Sequence, residues 1–383
     1  MTRTLLFTLA QGPFFLTHRL TLARAAREAG YTVVVAAPPG EHASAIEREG
    51  FRFVPIRLRR GLRNPLVDIA AILDLVGLYR RERPDIVHHL SLKPVVFGTI
   101  AARLARVPLI VNALTGLGLL YSDAAGASGL LRAPVTAALR LLSVSPRVWT
   151  LVQNADDRAA LRDAGVGTEE RTTLIRGSGV DIRRFAPQSE ASGPPVAAMV
   201  SRLVGLKGVP DLVEAARLLK KRNVPIRVAL VGSTDPENPT ALTESEIRAW
   251  VREGVVEWWG QRSDIPQVWA EAAIAVQPSR GGEGVPKSLL EAAACARPLV
   301  TTDVPGCREL VADGVNGLVV PPINPTALAD ALERLARDPD LRRRLGREAR
   351  ATVETHHTDI AVAAATLDLY RRALAAEHSQ SDL

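Results

Sequence analysis

Only two cysteines, Cys295 and Cys307, occur in 383 residues, too few for a disulfide framework or, by themselves, for a zinc site. Both read as small buried residues of a protein in a reducing cytoplasm. Aromatic residues make up 4% of the chain, and no Lys/Arg block interleaves with stacking side chains, which argues against nucleic acid as a partner. No apolar run reaches the roughly 18 residues of a membrane-crossing helix, so any membrane contact is expected to be peripheral. The opening T-L-L-F-T-L-A-Q-G-P-F-F-L is broken by Gln11, Gly12 and Pro13, and reads as a first strand running into a loop rather than as a signal sequence. G-x-G-x-x-G is missing after both early strands: one glycine follows Thr4–Thr8, and the cationic S-R-L-V-G-L-K-G-V follows Val196–Val200. A nicotinamide or flavin enzyme is set aside on that ground.

What is present is the composition of a soluble globular protein, with 47% hydrophobic and 23% charged residues, and a length that suits two domains. The net charge of +7 suits anionic partners such as phosphates or a lipid surface without choosing between them. Short apolar runs alternate with amphipathic segments, the pattern of βαβ units and parallel sheets. Strands are expected at Thr4–Thr8, Thr32–Ala37, Arg52–Ile56, Ile86–His89, Leu109–Val111 and Trp149–Val152. A second series falls at Val196–Val200, Arg227–Val231, Val255–Trp258, Ala273–Gln277, Leu299–Thr302 and Gly317–Val320. Helices are expected between them, for example at His18–Ala29 and Leu66–Arg83. The most linker-like stretch, Gln188 to Pro195, marks the boundary.

Arg280 to Glu291, R-G-G-E-G-V-P-K-S-L-L-E, sets two carboxylates around a glycine-rich helix start. Gly281, Gly282 and Gly284 allow close backbone approach to a ligand, and Pro286 fits the first turn of a helix running to Cys295. The unpaired N–H groups of that turn would face an anion. Glu283 falls in the loop and Glu291 inside the helix, so one can meet sugar hydroxyls and the other a ribose. A plain glycine-rich βα turn before an acidic helix is the alternative. After Val196–Val200, Arg202 offers a planar fork and Lys207 a compact charge, a pairing suited to a diphosphate; two solvated surface charges are the alternative. Asp338-Pro-Asp340 sits between late helical segments and reads as a turn rather than a nucleotide-metal motif.

S-R-x4-K-G at Ser201–Gly208, E-x7-E at Glu283–Glu291 and V-P-G-C-R-E-L-V-A-D-G-V-N-G at Val304–Gly317 resemble glycosyltransferase family 4, whose members are retaining and have the GT-B fold. The segments His18–Gly30, Leu92–Gly98, Thr115–Gly118, Gln153–Arg158, Gly177–Asp181 and Asn238-Pro239 are similar to a bacterial subgroup that extends polyprenyl-diphosphate-linked sugars for surface polysaccharides or glycoproteins. The resemblance implies an α/β chain of two Rossmann-like doubly wound parallel-sheet domains with an interdomain cleft. These would be an acceptor-binding domain of residues 1–185, rejoined by a C-terminal helix at 360–383, and a nucleotide-sugar-binding domain of residues 186–359. It implies a UDP-sugar as co-substrate and no further cofactor or metal. Arg202 and Lys207 would bind the diphosphate, Glu283 the transferred sugar and Glu291 the ribose. Backbone of Gly284, Val285, Pro286 and Lys287 would add donor contacts, and Gln261 and Arg262 would border the uracil.

Two departures from better-known relatives stand out. N-A-L-T-G replaces a histidine after Leu109–Val111, so Asn112 or Thr115 would supply donor-sugar contacts. Gln11-Gly12-Pro13 replaces twin glycines, with Gly12 left toward the donor. Acceptor candidates are His18, at the start of a helix, and Lys93, a cation at a helix start that is unfavourable unless an anion shares the site. His88 ranks behind Lys93. Arg57, Arg59, Arg60 and Arg63, with the amphipathic stretch Leu130–Val144, are expected on the acceptor side, Arg59 and Arg60 as acceptor-binding residues, and are candidates for an anionic membrane surface, which would place the protein on the cytoplasmic face of the inner membrane. A UDP-sugar epimerase and a non-catalytic nucleotide-sugar-binding protein are the alternatives: the first would turn over donor without acceptor, the second would bind without turnover.

Overall fold

Parallel strands buried on both faces must be apolar almost throughout, and runs such as T-L-L-F-T-L and T-V-V-V-A-A satisfy that demand. In the computed structural model, which describes residues 2–58, 65–117 and 132–381, they form two all-parallel sheets, one in each of two compact units. Of the described residues, unit 1 holds those up to Ser178 and from Asp359 onward, and unit 2 holds Gly179–Thr358.

Unit 1 contains β1 (Thr4–Leu9), β2 (Thr32–Ala37), β3 (Arg52–Pro55), β4 (Ile86–Leu90), β5 (Leu109–Leu114), β6 (Val148–Val152) and β7 (Thr172–Leu174), in the order β3-β2-β1-β4-β5-β6-β7. Unit 2 contains β8 (Val196–Val200), β9 (Arg227–Val231), β10 (Glu257–Trp258), β11 (Ile274–Gln277), β12 (Leu299–Thr302) and β13 (Gly317–Val320), in the order β10-β9-β8-β11-β12-β13. Strand order reverses between β1 and β4 and again between β8 and β11, the crevices where doubly wound sheets place ligands. Helices cover both faces. The C-terminal helix Asp359–Ser381 completes unit 1, burying Val362, Leu369 and Tyr370 beside Leu22, Phe51 and Phe7.

Several local expectations shift. β7 was not foreseen, because T-T-L is a three-residue edge strand with no periodicity to detect. β5 runs three residues beyond Val111, so Asn112 lies within the strand. The segment after β1 is helical rather than a loop: Gly12–His18 forms one helix with a proline in its first turn, Arg19 breaks it at φ −131°, and Leu20–Glu28 forms the next. His18 therefore ends a helix instead of starting one. Pro13 is the reason, since its fixed φ starts a helix as readily as it ends a strand.

The chain passes between units at Ser178/Gly179 and Thr358/Asp359, not at the Ser/Gly/Pro-rich stretch. That stretch belongs to unit 2, where Arg342 Nη2 holds Glu190 at 2.9 Å. On the unit 2 side the two crossings are adjacent, because Val180 N–H donates to the His357 carbonyl at 2.9 Å. No helix among the described residues is long and apolar enough to cross a membrane.

Candidate functional site

Because every strand of unit 2 runs the same way, the loops leaving β8, β9, β10, β11 and β12 all emerge at one edge of the sheet. The loops after β8 and β11 are neighbours only because β8 pairs with β11. They are clamped together. Arg280 N–H donates to the Leu206 carbonyl at 2.9 Å, and the Arg280 guanidinium grips both oxygens of Asp211 at 2.7 Å. Gly208, at φ +79°, comes so close that a Cβ there would lie 1.8 Å from the Pro278 carbonyl oxygen. Gly306 does the same for the loop after β12, at 1.8 Å from the Gly284 carbonyl oxygen. Gly208→Ala combines a left-handed backbone, costing about 1 to 2 kcal/mol, with a backbone clash, and is expected to lower the melting temperature by about 5 °C or more. An unchanged thermal unfolding curve would show that this contact is not a constraint.

The clamp brings Lys207 and Glu283 together. Lys207 Nζ lies 2.5 and 2.7 Å from the two carboxylate oxygens, although the residues are 76 positions apart. Glu283 is 9% exposed, and its Oε1 also accepts from Ser279 Oγ at 2.7 Å. Ser279 Oγ accepts in turn from Gln277 Nε2 at 2.9 Å, while Thr301 Oγ1 donates to the Gln277 carbonyl and Thr302 Oγ1 to that of Ser279. These four residues escaped sequence reasoning. The available signal was Gln277-Pro-Ser279, a polar end on an otherwise apolar strand just before the glycine-rich loop.

Arg202 turns the other way. It pairs with Asp235, a mostly buried carboxylate after β9, so the two cations of one loop are held by loops on either side. Asp235 was also missed. Asn238-Pro239 braces the same loop: Asn238 Oδ1 accepts from Thr240 N and Oγ1 at 2.9 Å, and the Thr240 carbonyl accepts from Gly205 N at 2.7 Å.

The helix after the glycine-rich loop spans Lys287–Ala294, with Pro286 as its N-cap at ψ 122° and no side-chain cap. Pro286 thus stands one position earlier than expected, because its extended ψ keeps it outside the first turn. Val285 is buried in the core, so only its backbone is available to a ligand. Lys287 points its ammonium away along the chain, to the Gly179 carbonyl at 2.5 Å. Glu291 is pushed up to about 7 by burial, against the pull of Lys287 and Arg184. After β10, Gln261 is exposed, while Arg262 forks onto Asp264 at 2.7 and 2.6 Å, which raises its already high pKa further. Asp338 caps the helix Pro339–His356 by accepting from Leu341 N at 2.9 Å.

Comparison with known proteins fits both halves of this architecture. Residues 194–338 match the family described as glycosyl transferases group 1, and residues 5–144 match glycosyl transferase 4-like proteins. Both halves are thus glycosyltransferase domains, and the chain is a glycosyltransferase. It is 26% identical over 369 residues, 93% of this chain and 95% of the relative, to the N,N'-diacetylbacillosaminyl-diphospho-undecaprenol alpha-1,3-N-acetylgalactosaminyltransferase of Campylobacter jejuni. It is 25% identical, over 71% of each chain, to the UDP-Gal:alpha-D-GlcNAc-diphosphoundecaprenol alpha-1,3-galactosyltransferase of Escherichia coli. Its structure is similar to that of Anabaena HepE in complex with UDP and glucose, with a TM-score of 0.76, 21% identity and coverage of 96% of this chain and 99% of the other. The fold is GT-B.

Unit 1 of the glycosyltransferase treats its sequence candidates unevenly. Gly12 is buried against His42, whose Nε2 would lie 1.8 Å from an added Cβ, so that glycine makes room for a side chain. His18 stacks on Phe14 at 3.9 Å and binds Thr17 Oγ1 through Nδ1 at 2.6 Å. Lys93 does share its helix start with an anion, but the anion is the protein's own Asp68, at 2.7 Å. His88 is fully buried with Nδ1 on the Tyr370 hydroxyl, and burial, with Arg19 and His89 nearby, holds it neutral. Asn112 is 5% exposed and its Oδ1 already accepts from Thr99 Oγ1 at 3.1 Å while facing His89 Nδ1 at 2.8 Å. Its oxygen is therefore engaged within unit 1. Thr115 remains, directly after β5 and half-buried; the next residues are tied down by Leu117 N–H donating to Asp157 at 3.3 Å. Arg59, Arg60, Arg63, Gly118 and the first residues of Leu130–Val144 lie outside the described residues.

Proposed function

We propose that this glycosyltransferase moves a hexose or N-acetylhexosamine, with retention, from a UDP-sugar to a polyprenyl-diphosphate-linked saccharide at the cytoplasmic face of a membrane. The observation that carries the reading is the Lys207–Glu283 pair, fixed at the β8/β11 reversal in front of a helix whose first N–H groups have no side-chain cap. A departing nucleoside diphosphate needs positive charge already in place. Lys207, Arg202 and the N–H groups of Gly284, Val285 and Lys287 supply it. Glu283 accepts hydroxyls of the transferred sugar, and Glu291 those of the ribose. Gln261 and Arg262 border the base. His18 and Lys93 face the acceptor.

Retention follows if the leaving phosphate oxygen takes the proton of the acceptor hydroxyl as that hydroxyl oxygen bonds to the anomeric carbon and the bond to phosphate breaks on the same face. No side-chain base is then required, which suits a site with Asn112 engaged elsewhere. The acceptor class is supported by the two relatives whose names specify diphospho-undecaprenol-linked sugars, and the donor class by the neighbour that holds UDP and glucose.

The test is UDP release from a panel of UDP-sugars, with and without a polyprenyl-diphosphate-monosaccharide. Release that needs the acceptor and collapses in Glu283→Ala supports the reading and names the donor. No UDP release with any donor, or release indifferent to the acceptor and to Glu283→Ala, overturns it; interconversion of UDP-sugars without UDP release then indicates an epimerase, and binding without turnover a binding protein.

A further inference from the structure

The helix Pro65–Glu82 buries its second half in unit 1, with Leu75, Val76, Leu78 and Tyr79 in the core. Its first two turns do the opposite. Leu66 is 75% exposed, Val67 56%, Ile69 54% and Leu73 62%. Residues 66, 69 and 73 repeat at intervals of three and four, so they share one face. Single exposed aliphatics are ordinary, but four large ones within eight residues form a contiguous patch of the kind that marks an interaction surface.

The charges around the patch select its partner. The acids flanking it are Asp68 and Asp74, and both are neutralised: Asp68 by Lys93 at 2.7 Å, Asp74 by the fork of Arg57 at 2.6 and 2.7 Å. Beyond the paired Arg57, the sequence leading into the helix, L-R-R-G-L-R at 58–63, adds three arginines and no acid; these three lie outside the described residues. An apolar stripe in a cationic setting matches an anionic bilayer surface, where aliphatic side chains enter the headgroup boundary and basic groups stay above it. A second copy would carry the same excess of arginine in the sequence next to this helix, and like charges disfavour that pairing.

Position adds a reason. Lys93 opens the helix Leu92–Leu104 directly after β4, so the Asp68–Lys93 pair fixes the first turn of the exposed helix at the carboxyl edge of the unit 1 sheet. We propose that Leu66, Val67, Ile69 and Leu73 dock the enzyme on an anionic lipid bilayer and hold that edge at the surface where a lipid-linked acceptor resides. The purpose of this surface rests on the acceptor class proposed above; its measurement does not.

The experiment is flotation of the full chain with vesicles of phosphatidylcholine alone or mixed with phosphatidylglycerol, comparing wild type with the triple variant Leu66→Ser, Ile69→Ser, Leu73→Ser. Thermal unfolding of both controls for folding, and the replaced side chains are exposed. The expected result is binding to the anionic vesicles that falls at least about tenfold in the variant. Failure of the wild type to float, equal flotation of the variant, or equal binding to neutral vesicles overturns the proposal. So does a wild-type dimer in sedimentation velocity that the variant abolishes without any vesicle binding. UDP release with a short-chain, water-soluble acceptor separates the two proposals. Loss of flotation by the variant without acceptor-dependent release in either protein would fail only the proposed function, whereas release with no flotation would fail only the docking surface.

Discussion

Lys207→Ala is expected to lower kcat/KM for sugar transfer by on the order of 10²- to 10³-fold, and Glu283→Ala by a similar factor. The double variant should be little worse than either single one. The reason is geometric. Lys207 meets both oxygens of Glu283, and Glu283 is 9% exposed, so removing the ammonium strands a carboxylate with only Ser279 Oγ as a side-chain partner. An uncompensated buried charge costs about 3 to 5 kcal/mol, enough to make the glycine-rich loop rearrange and take the helix start with it. Each single change thus disables the same unit, and effects within a unit do not add. Steady-state UDP release from the four proteins of the cycle measures this. Single losses that multiply in the double variant would show that Lys207 and Glu283 act independently, and that their contact is incidental to turnover.

Glu291 is expected to set a pH dependence with opposite signs for the free enzyme and for donor binding. Burial raises its carboxyl from 4.5 to about 7, so the folded chain holds a proton that the unfolded chain has released between those values. Stability therefore falls as pH rises through that window. The penalty is absent below the unfolded value and complete above the folded one, at about 2 to 3 kcal/mol. Glu291→Gln removes it, and should melt several degrees higher than wild type at about pH 8 while matching it near pH 4.5. Ribose hydroxyls, however, need the carboxylate as acceptor. Donor affinity of the wild type should rise as pH passes about 7, and the variant should bind donor weakly at every pH. Calorimetric unfolding and UDP titration across that range decide it. A variant no more stable at alkaline pH would mean that Glu291 is solvated in the folded chain, and pH-independent donor affinity would remove it from the ribose.

The fold class and much of the candidate site were legible without coordinates, for a local reason. Strands buried on both faces are written as apolar runs, so twelve of the thirteen strands are recognisable segment by segment, the exception being the three-residue edge strand β7. The glycine-rich helix start and the S-R-x4-K-G element are contiguous, and their chemistry follows from residue types at fixed spacing. Local order also misled where two outcomes share one signal. Gly12-Pro13 starts a helix as well as it breaks a strand, and N-A-L-T-G reads as a loop until Asn112 is seen inside β5, bonded to Thr99. What only the tertiary structure decided is which distant groups meet. Whether Lys207 faces Glu283, whether Arg202 turns to Asp235, and whether the anion beside Lys93 is a substrate or Asp68 all depend on strand order. Periodicity within a strand shows that it is buried but does not say which strand lies next to it.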